Sequence, residues 1–344
     1  MTTEVTPARI LETATAFWPA KVLLSAVELG LFTKLAPAPL DNAELAAAIG
    51  IRADRSPDFF DALVAMGFLH REGDGKPGRY SNTPETDAFL DKNKPGYTGG
   101  MPEMLNARLF GFWNGLTDAL RTGSAQNESK GDGGHGVFET LYADEARLEQ
   151  FLLGMASLQF GNFHTLANRF DFSTRKTVLD VGGANALLSR VLAGRHPHLS
   201  LLSLDLPAVA PIARREVKNA GLTSRIEILA GDFFVDVLPP ADVIVMGNVL
   251  HDWNEGAKQK LIAKAYAALP TGGVLIAIEN VIDDARRQNA FGLLMSLNML
   301  IELGADGGFD YTGAQYDAWC RRAGFSRTEI LPLTGPTSAA VAYK

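Results

Sequence analysis

Five polar side chains, placed where short apolar runs stop, carry the chemistry of this sequence: Asp180, Asp205, Asp232, His251 and Glu279. Asp205 lies 25 residues beyond Asp180 and can accept hydrogen bonds from both hydroxyls of a ribose. Asp232 beside Phe233 joins a polar contact to a stacking face, which suits a purine base. The turn between them, Gly182-Gly183-Ala184-Asn185-Ala186, lacks the G-x-G-x-x-G of a dinucleotide site, and no Gly-Lys-Ser/Thr follows to make a P-loop. Asp180 at the strand end would repel a phosphate but suits a cation or ribose hydroxyls. Ribose and base contacts without a pyrophosphate cradle point to a nucleoside. The plain alternatives are a solvated or helix-capping Asp205 and an ordinary turn Asp232.

These residues share a site only if the strands bearing them lie side by side. Thr177–Val181 reads as a buried strand, and the glycine pair lets the backbone turn. A helix follows, with Leu187, Leu188, Val191 and Leu192 on one face. Leu199–Leu206, Ile226–Leu229, Ala241–Met246 and the run VLIAIEN supply further strands. A helix fills about Glu255–Ala268, and a hairpin joins Ser326–Leu331 to Ala339–Tyr343. Such alternation predicts a Rossmann-like, doubly wound, mostly parallel α/β sheet. Its carboxyl edge would gather the polar strand ends.

The preceding residues are organised differently. Helical spacing runs from Ile10 to about Leu35. Asp41 with Glu44 reads as a capping box for a helix that Gly50 stops, and a second helix covers about Pro57–Met66. FLHREGDGKPGRYSNT then reads as two strands around a turn, completing a winged-helix arrangement. Between Asp41 and Thr83 stand seven acidic and five basic residues, so the electrostatic footprint of a DNA reader is missing. Pro84 to about Phe172 is mostly helical and rich in aromatics and methionine, including Phe138. Trp113, Met155 and Phe160 could line a flat apolar pocket, with an ordinary helical core as the alternative. Arg121–Gly136 reads as a mobile loop, with His135 solvated. We expect residues 1–100 to form the N-terminal domain, 101–172 a helical linker contributing to a substrate pocket, and 173–344 the catalytic domain.

The whole chain has 344 residues, 47% of them hydrophobic, which is enough for two sizeable cores. A net charge of −7 disfavours nucleic acid or an anionic membrane as partner. Cys320 stands alone, so an internal disulfide and a cysteine-based metal site are excluded. No stretch approaches the roughly 18 apolar residues of a membrane span, and a cytoplasmic enzyme is the simplest setting.

VLDVGG, SLDLP, GDFF, NVLHDW (Asn248–Trp253), ALPTGGVLIAIE and AGF (Ala323–Phe325) together resemble the class I S-adenosylmethionine-dependent methyltransferases. The likeness is to the plant-caffeate-type and bacterial small-molecule O-methyltransferases, and it spans nearly the whole chain. It implies a homodimer formed through the N-terminal winged-helix domain and a small-molecule acceptor. It also implies that Gly182 sits against the methionine moiety, Asp205 and the adjoining Leu206 hold the ribose, and Asp232 with Phe233 holds the adenine. Asp180 and Gly247 complete the cofactor site. His251 becomes the general base, oriented by Glu279 and by Asp310, the acid after Gly307-Gly308. Three features depart from the pattern: Asn185 stands where a further glycine is usual, Asp310 is shorter than the usual Glu, and Glu302–Asp306 looks longer.

A phenol of pKa about 10 attacks poorly while protonated, and an imidazole of pKa about 6.5 can take that proton. A carboxylate beside the ring fixes its tautomer and stabilises the imidazolium. Met246, Met295, Asn298 and Met299 could line the acceptor pocket, with ordinary core as the alternative for the methionines. His70, His164, His196 and His198 read as surface or packing residues. No cluster shows metal-ligand spacing, so no metal is expected, and Asp283-Asp284 reads as a helix start. The expected reaction is methyl transfer to a hydroxyl of an aromatic or heteroaromatic metabolite. Three alternatives remain: N- or C-methylation, a cofactor-binding relative with non-methylating chemistry, and a winged-helix regulator.

Overall fold

The computed structural model describes residues 5–73, 78–128, 142 and 144–344. His135 and Phe138 lie outside them, as does the second half of the loop expected at Arg121–Gly136. The chain divides into two compact units, Met1–Gly111 and Phe112–Lys344. The segment 101–172, set apart in the sequence, falls on both sides of that division.

In the first unit, three helices (Ala8–Thr15, Phe17–Glu28 and Leu31–Leu35) replace the single run expected from Ile10. Asp41 caps the helix Asn42–Ile49 through a reciprocal bond with Glu44, and Gly50 ends it in the left-handed conformation. After the helix Ser56–Ala65, β2 (Leu69–Glu72) and β3 (Arg79–Asn82) pair antiparallel, and β1 (Leu40–Asp41) joins the outer side of β3. Phe32, Leu45, Phe60 and Leu63 form the core of this unit. Contrary to expectation, Ala8–Glu28 is 21 residues long and apolar enough by composition to cross a membrane. It is broken at Ala16, and Ile10, Leu11, Phe17 and Trp18 are exposed along it.

The second unit is built on a seven-stranded sheet. Its strands are β4 (Thr177–Val181), β5 (Ser200–Asp205), β6 (Ile226–Ala230), β7 (Val243–Gly247), β8 (Val274–Glu279), β9 (Arg327–Pro332) and β10 (Ser338–Tyr343). The spatial order is β6-β5-β4-β7-β8-β10-β9, with β10 antiparallel to both neighbours and the other pairs parallel. The order reverses between β4 and β7, which is where such sheets open a ligand crevice at their carboxyl edge. Alternate residues feed two cores. Val178, Val243, Val245 and Ile276 pack on one face; Leu179, Ile244, Met246 and Leu275 pack on the other. All six residues of β8 are buried, as a strand covered on both faces requires.

Candidate active site

The turn after β4 is shaped by backbone strain. Gly182 has φ +70°, and a Cβ there would stand 2.6 Å from Val249. A Cβ on Gly183 would collide with the Ser203 hydroxyl and reach 3.1 Å from Asp180. The two further left-handed positions belong to Ala184 (φ 50°) and Ala186 (φ 59°). Asn185, where the resemblance places a missing glycine, is not one of them. Residues with a Cβ therefore hold a conformation that glycine adopts at lower cost.

Asp205 ends β5 with its carboxylate held by the backbone: the Ala184 N–H donates to Oδ2 at 2.8 Å and the Leu206 N–H to Oδ1 at 2.7 Å. Burial pushes its pKa up to about 6 while those two donors pull it down. Asp180 lies beneath the glycine turn, 4% exposed, with only a long contact of 3.4 Å from the Ser189 hydroxyl. Burial first, and then the charge of Asp205, push it up to about 7. Asp180 thus supports the turn from below, and the side chain poised for a ribose is Asp205. Asp232 accepts the Phe234 N–H at 2.8 Å, and the Phe233 ring packs against Phe234 and Trp253. Asn185 is buried, and its Oδ1 accepts from no donor among the described residues. A cradle with no room for a Cβ, a fixed carboxylate and an orphaned polar atom fit the nucleoside and amino-acid ends of S-adenosylmethionine.

Across β7 the second half of the site is assembled. The NVLHDW segment begins at Asn248, itself left-handed at φ 53°, and forms a single turn over Leu250–Asp252. Glu279 Oε1 accepts the backbone N–H groups of Leu250 (3.0 Å) and His251 (3.4 Å), so its first task is to hold that turn. Its Oε2 lies 3.7 Å from His251 Nδ1, and Asp310 Oδ1 lies 3.6 Å from the same nitrogen. Asp252 Oδ1 stands 3.3 Å from Nε2. Gly308 explains how Asp310 arrives: a Cβ there would collide with the His251 carbonyl and the Asp252 backbone. Burial alone would favour neutral imidazole, but Glu279, Asp252 and Asp310 outweigh it and hold His251 above its ordinary value. Burial in turn pushes Glu279 and Asp252 above the usual carboxylate range, opposed by the charge on His251.

His251, Glu279 and Asp310 each offer a ligand atom within 4.8 Å of the others, a convergence that their sequence spacing concealed.

The acceptor candidates separate. Asn298 and Met299 are buried on the helix Ala290–Leu303, and the Trp113 indole N–H donates to Asn298 Oδ1 at 2.9 Å. Asn298 in turn donates to Glu302 at 2.8 Å. Met155 and Phe160 are partly exposed on the helix Glu145–Arg169, where the Phe160 ring meets His164 at 4.7 Å. Met246 belongs to the core under β7. Gly247 is closed over by Phe163, 3.3 Å from where its Cβ would be. His196 and His198 bond the carbonyls of Ala167 and Phe172, as packing residues do. Asp283 opens no helix: it gathers the N–H groups of Arg287, Gln288 and Asn289, and Asn289 caps the following helix.

Two residues escaped the sequence reading. Burial, then the charges of Asp205 and Asp252, raise the Tyr142 phenol well above its ordinary value. Lys258 is fully buried at the first position of the stripe 258, 261, 262, 265 on the helix Glu255–Ala268. A lysine on an apolar stripe was the visible signal.

At the carboxyl edge of a seven-stranded sheet, a backbone-held carboxyl and a buried imidazole among three carboxyls suit a nucleoside-dependent transferase. Comparison with known proteins agrees. The O-methyltransferase domain model matches residues 113–326, and the O-methyltransferase dimerisation domain model matches residues 11–92. The chain is 40% identical to the tetracenomycin polyketide synthesis 8-O-methyl transferase TcmO of Streptomyces glaucescens, over 98% of this chain and 97% of that one. It is 37% identical to the N,N-dimethyltransferase OxyT of Streptomyces rimosus, over 80% of this chain and 79% of the relative. Human N-acetylserotonin methyltransferase, solved in complex with SAM, superposes with a TM-score of 0.91 at 28% identity, covering 100% of this chain and 99% of the other. The chain belongs to the O-methyltransferase family, enzymes that use S-adenosylmethionine as methyl donor.

Proposed function

We propose that this enzyme methylates a hydroxyl of a small aromatic or heteroaromatic metabolite, with His251 as general base and no metal. The observation that carries the reading is the buried imidazole between Asp252 on one nitrogen and Glu279 and Asp310 on the other. S-adenosylmethionine supplies, when bound, an electrophilic methyl group on a sulfonium. Asp205 would hold the ribose and Asp232 with Phe233 the adenine, while Gly182 leaves room for the methionine end. His251 accepts the proton of the attacking hydroxyl, and Glu279 and Asp310 stabilise the resulting imidazolium from the opposite nitrogen. Glu279 also holds the turn that aims the ring, through Oε1. The metal-free reading is supported by that use of Glu279, which leaves one carboxylate oxygen for the imidazole.

The acceptor is placed near Trp113, Asn298 and Met299, with Met155 and Phe160 as further lining. The naphthoate named for a 33% identical O-methyltransferase of Streptomyces sahachiroi favours a fused aromatic acceptor. A second reading, N-methylation, is favoured by the N,N-dimethyltransferase relative. An amine needs less help from a base, so the site's three acids around one imidazole argue for the hydroxyl. A homodimer is supported by the dimerisation-domain match and by the exposed Phe17 and Trp18 within it.

The test is a panel of phenols and aromatic amines of matched shape, assayed with labelled methyl donor with and without chelator. Methylation of phenols that persists in chelator supports the reading. Transfer to the amines alone, or loss of activity on chelation with recovery on adding a divalent cation, contradicts it. Titration with S-adenosylhomocysteine, with Asp205→Ala as control, tests the cofactor half.

A further inference from the structure

Lys258 has no place in the reaction as described, yet it is one of the largest fully buried side chains in the molecule. Its ammonium donates to the Trp253 carbonyl and lies 3.6 Å from the centre of the Phe309 ring and 6.0 Å from that of Tyr311. It therefore ties together the two segments that flank the imidazole, one carrying His251 and Asp252 and the other carrying Gly308 and Asp310. A desolvated ammonium against an aromatic face and a carbonyl is held in one place.

The surroundings give that placement a charge role. Glu279 from β8, Asp252 from the His251 turn, Asp310 from the segment after Gly308, and Glu255 from its own helix all act on Lys258 and favour its charged form. Burial works against them and lowers its pKa to about 8. The influence is mutual, because Lys258 draws Asp252 and Glu279 toward their ionised forms. Around the reacting centre there are then three carboxyls, the His251 imidazole, which becomes a cation when it takes the proton, and Lys258 as a second cation.

We propose that Lys258 is a positioning residue for methyl transfer, a fixed second cation that locks the His251 turn to the Asp310 segment and limits how many protons the buried acid nest retains. It touches no reacting atom. The proposal rests on the reading of His251 as base, since only then does the protonation of the nest set turnover.

Removing a positive charge raises every proton affinity in the nest, for acids and imidazole alike, and the resulting titration belongs to the cluster as a whole. The acid limb of the pH–kcat profile therefore moves to higher pH. Lys258→Met keeps the length and satisfies burial, whereas Lys258→Arg keeps the charge. We expect the limb to rise by about one pH unit in Lys258→Met and to stay within about 0.3 unit of wild type in Lys258→Arg. The dissociation constant for S-adenosylhomocysteine should change less than about twofold in both, and far-ultraviolet circular dichroism should confirm that each is folded.

A limb unmoved in Lys258→Met, or moved equally in Lys258→Arg, overturns the proposal. Should Lys258→Met yield no folded protein, Lys258→Gln carries the same comparison. His251→Ala separates the two possible failures. Wild-type turnover in that variant overturns the base reading, whereas turnover lost there with an unmoved limb in Lys258→Met overturns the role of Lys258 alone.

Discussion

The two acidic regions at the sheet edge solve one problem in different ways. At the rim, Asp205 is a half-buried carboxyl held by two backbone N–H groups, so its position is fixed by the fold of the glycine turn. Around His251, three carboxyls are compensated by side chains, the imidazole itself and Lys258, which can gain and lose protons. Backbone compensation suits a group that must only bind. Side-chain compensation suits a group that must exchange a proton during each turnover. Substitutions at the rim should therefore change affinity, and substitutions in the nest should change rate and pH dependence.

Asp205→Ala makes the sharpest cut on the rim side. Losing a charged acceptor for ribose hydroxyls costs about 1.5–3 kcal/mol, so affinity for S-adenosylhomocysteine should fall about ten- to hundredfold by calorimetry. Turnover at saturating donor should change far less. Gly308→Ala probes the nest without removing any of its charges. The added methyl pushes on the His251 carbonyl, and overpacking of this kind costs about 1–3 kcal/mol. Melting should drop by several degrees and kcat should fall, while the dissociation constant for S-adenosylhomocysteine holds.

The pH dependence of stability is a smaller effect with a definite sign. Asp180 and Asp205 keep pKa values raised to about 7 and about 6 in the folded chain, so the native state holds protons that the unfolded chain releases near pH 4. Stability of the free protein should fall as pH rises from about 4 to about 7, and Asp180→Asn should flatten that decline in thermal melts. Ala186→Gly should have the smallest effect. Relief of a left-handed alanine is partly offset by the greater freedom of glycine in the unfolded chain, leaving a gain of at most about 1 kcal/mol. A loss of stability there would show that Ala186 is held by packing that its φ angle does not reveal.

The strands and the helix Glu255–Ala268 were legible because apolar runs and capping residues act locally. His251 and Glu279 stood out as polar groups where apolar runs stop. Asp310 came only through family resemblance, since nothing local marks an acid that a loop returns to the site. Two features were hidden because they depend on tertiary contact. Glu279 spends one oxygen on the backbone of the turn it was expected to serve only through the ring, and Asp180 lies under the turn rather than in it. The left-handed alanines at 184 and 186 were hidden because residue type does not report backbone angle. Lys258 was overlooked because a lysine on an exposed helix face is ordinary, and only the 258, 261, 262, 265 spacing says otherwise.

The claim that His251 takes the acceptor's proton is tested most directly by a series of phenols of graded acidity, methylated in single turnover by wild type and His251→Ala with saturating donor. We expect the variant to lose about 10²- to 10⁴-fold with phenols of pKa about 10, the loss shrinking steadily for phenols already ionised at the assay pH. Equal rates in the two proteins across the series, or a loss independent of phenol acidity, would contradict it.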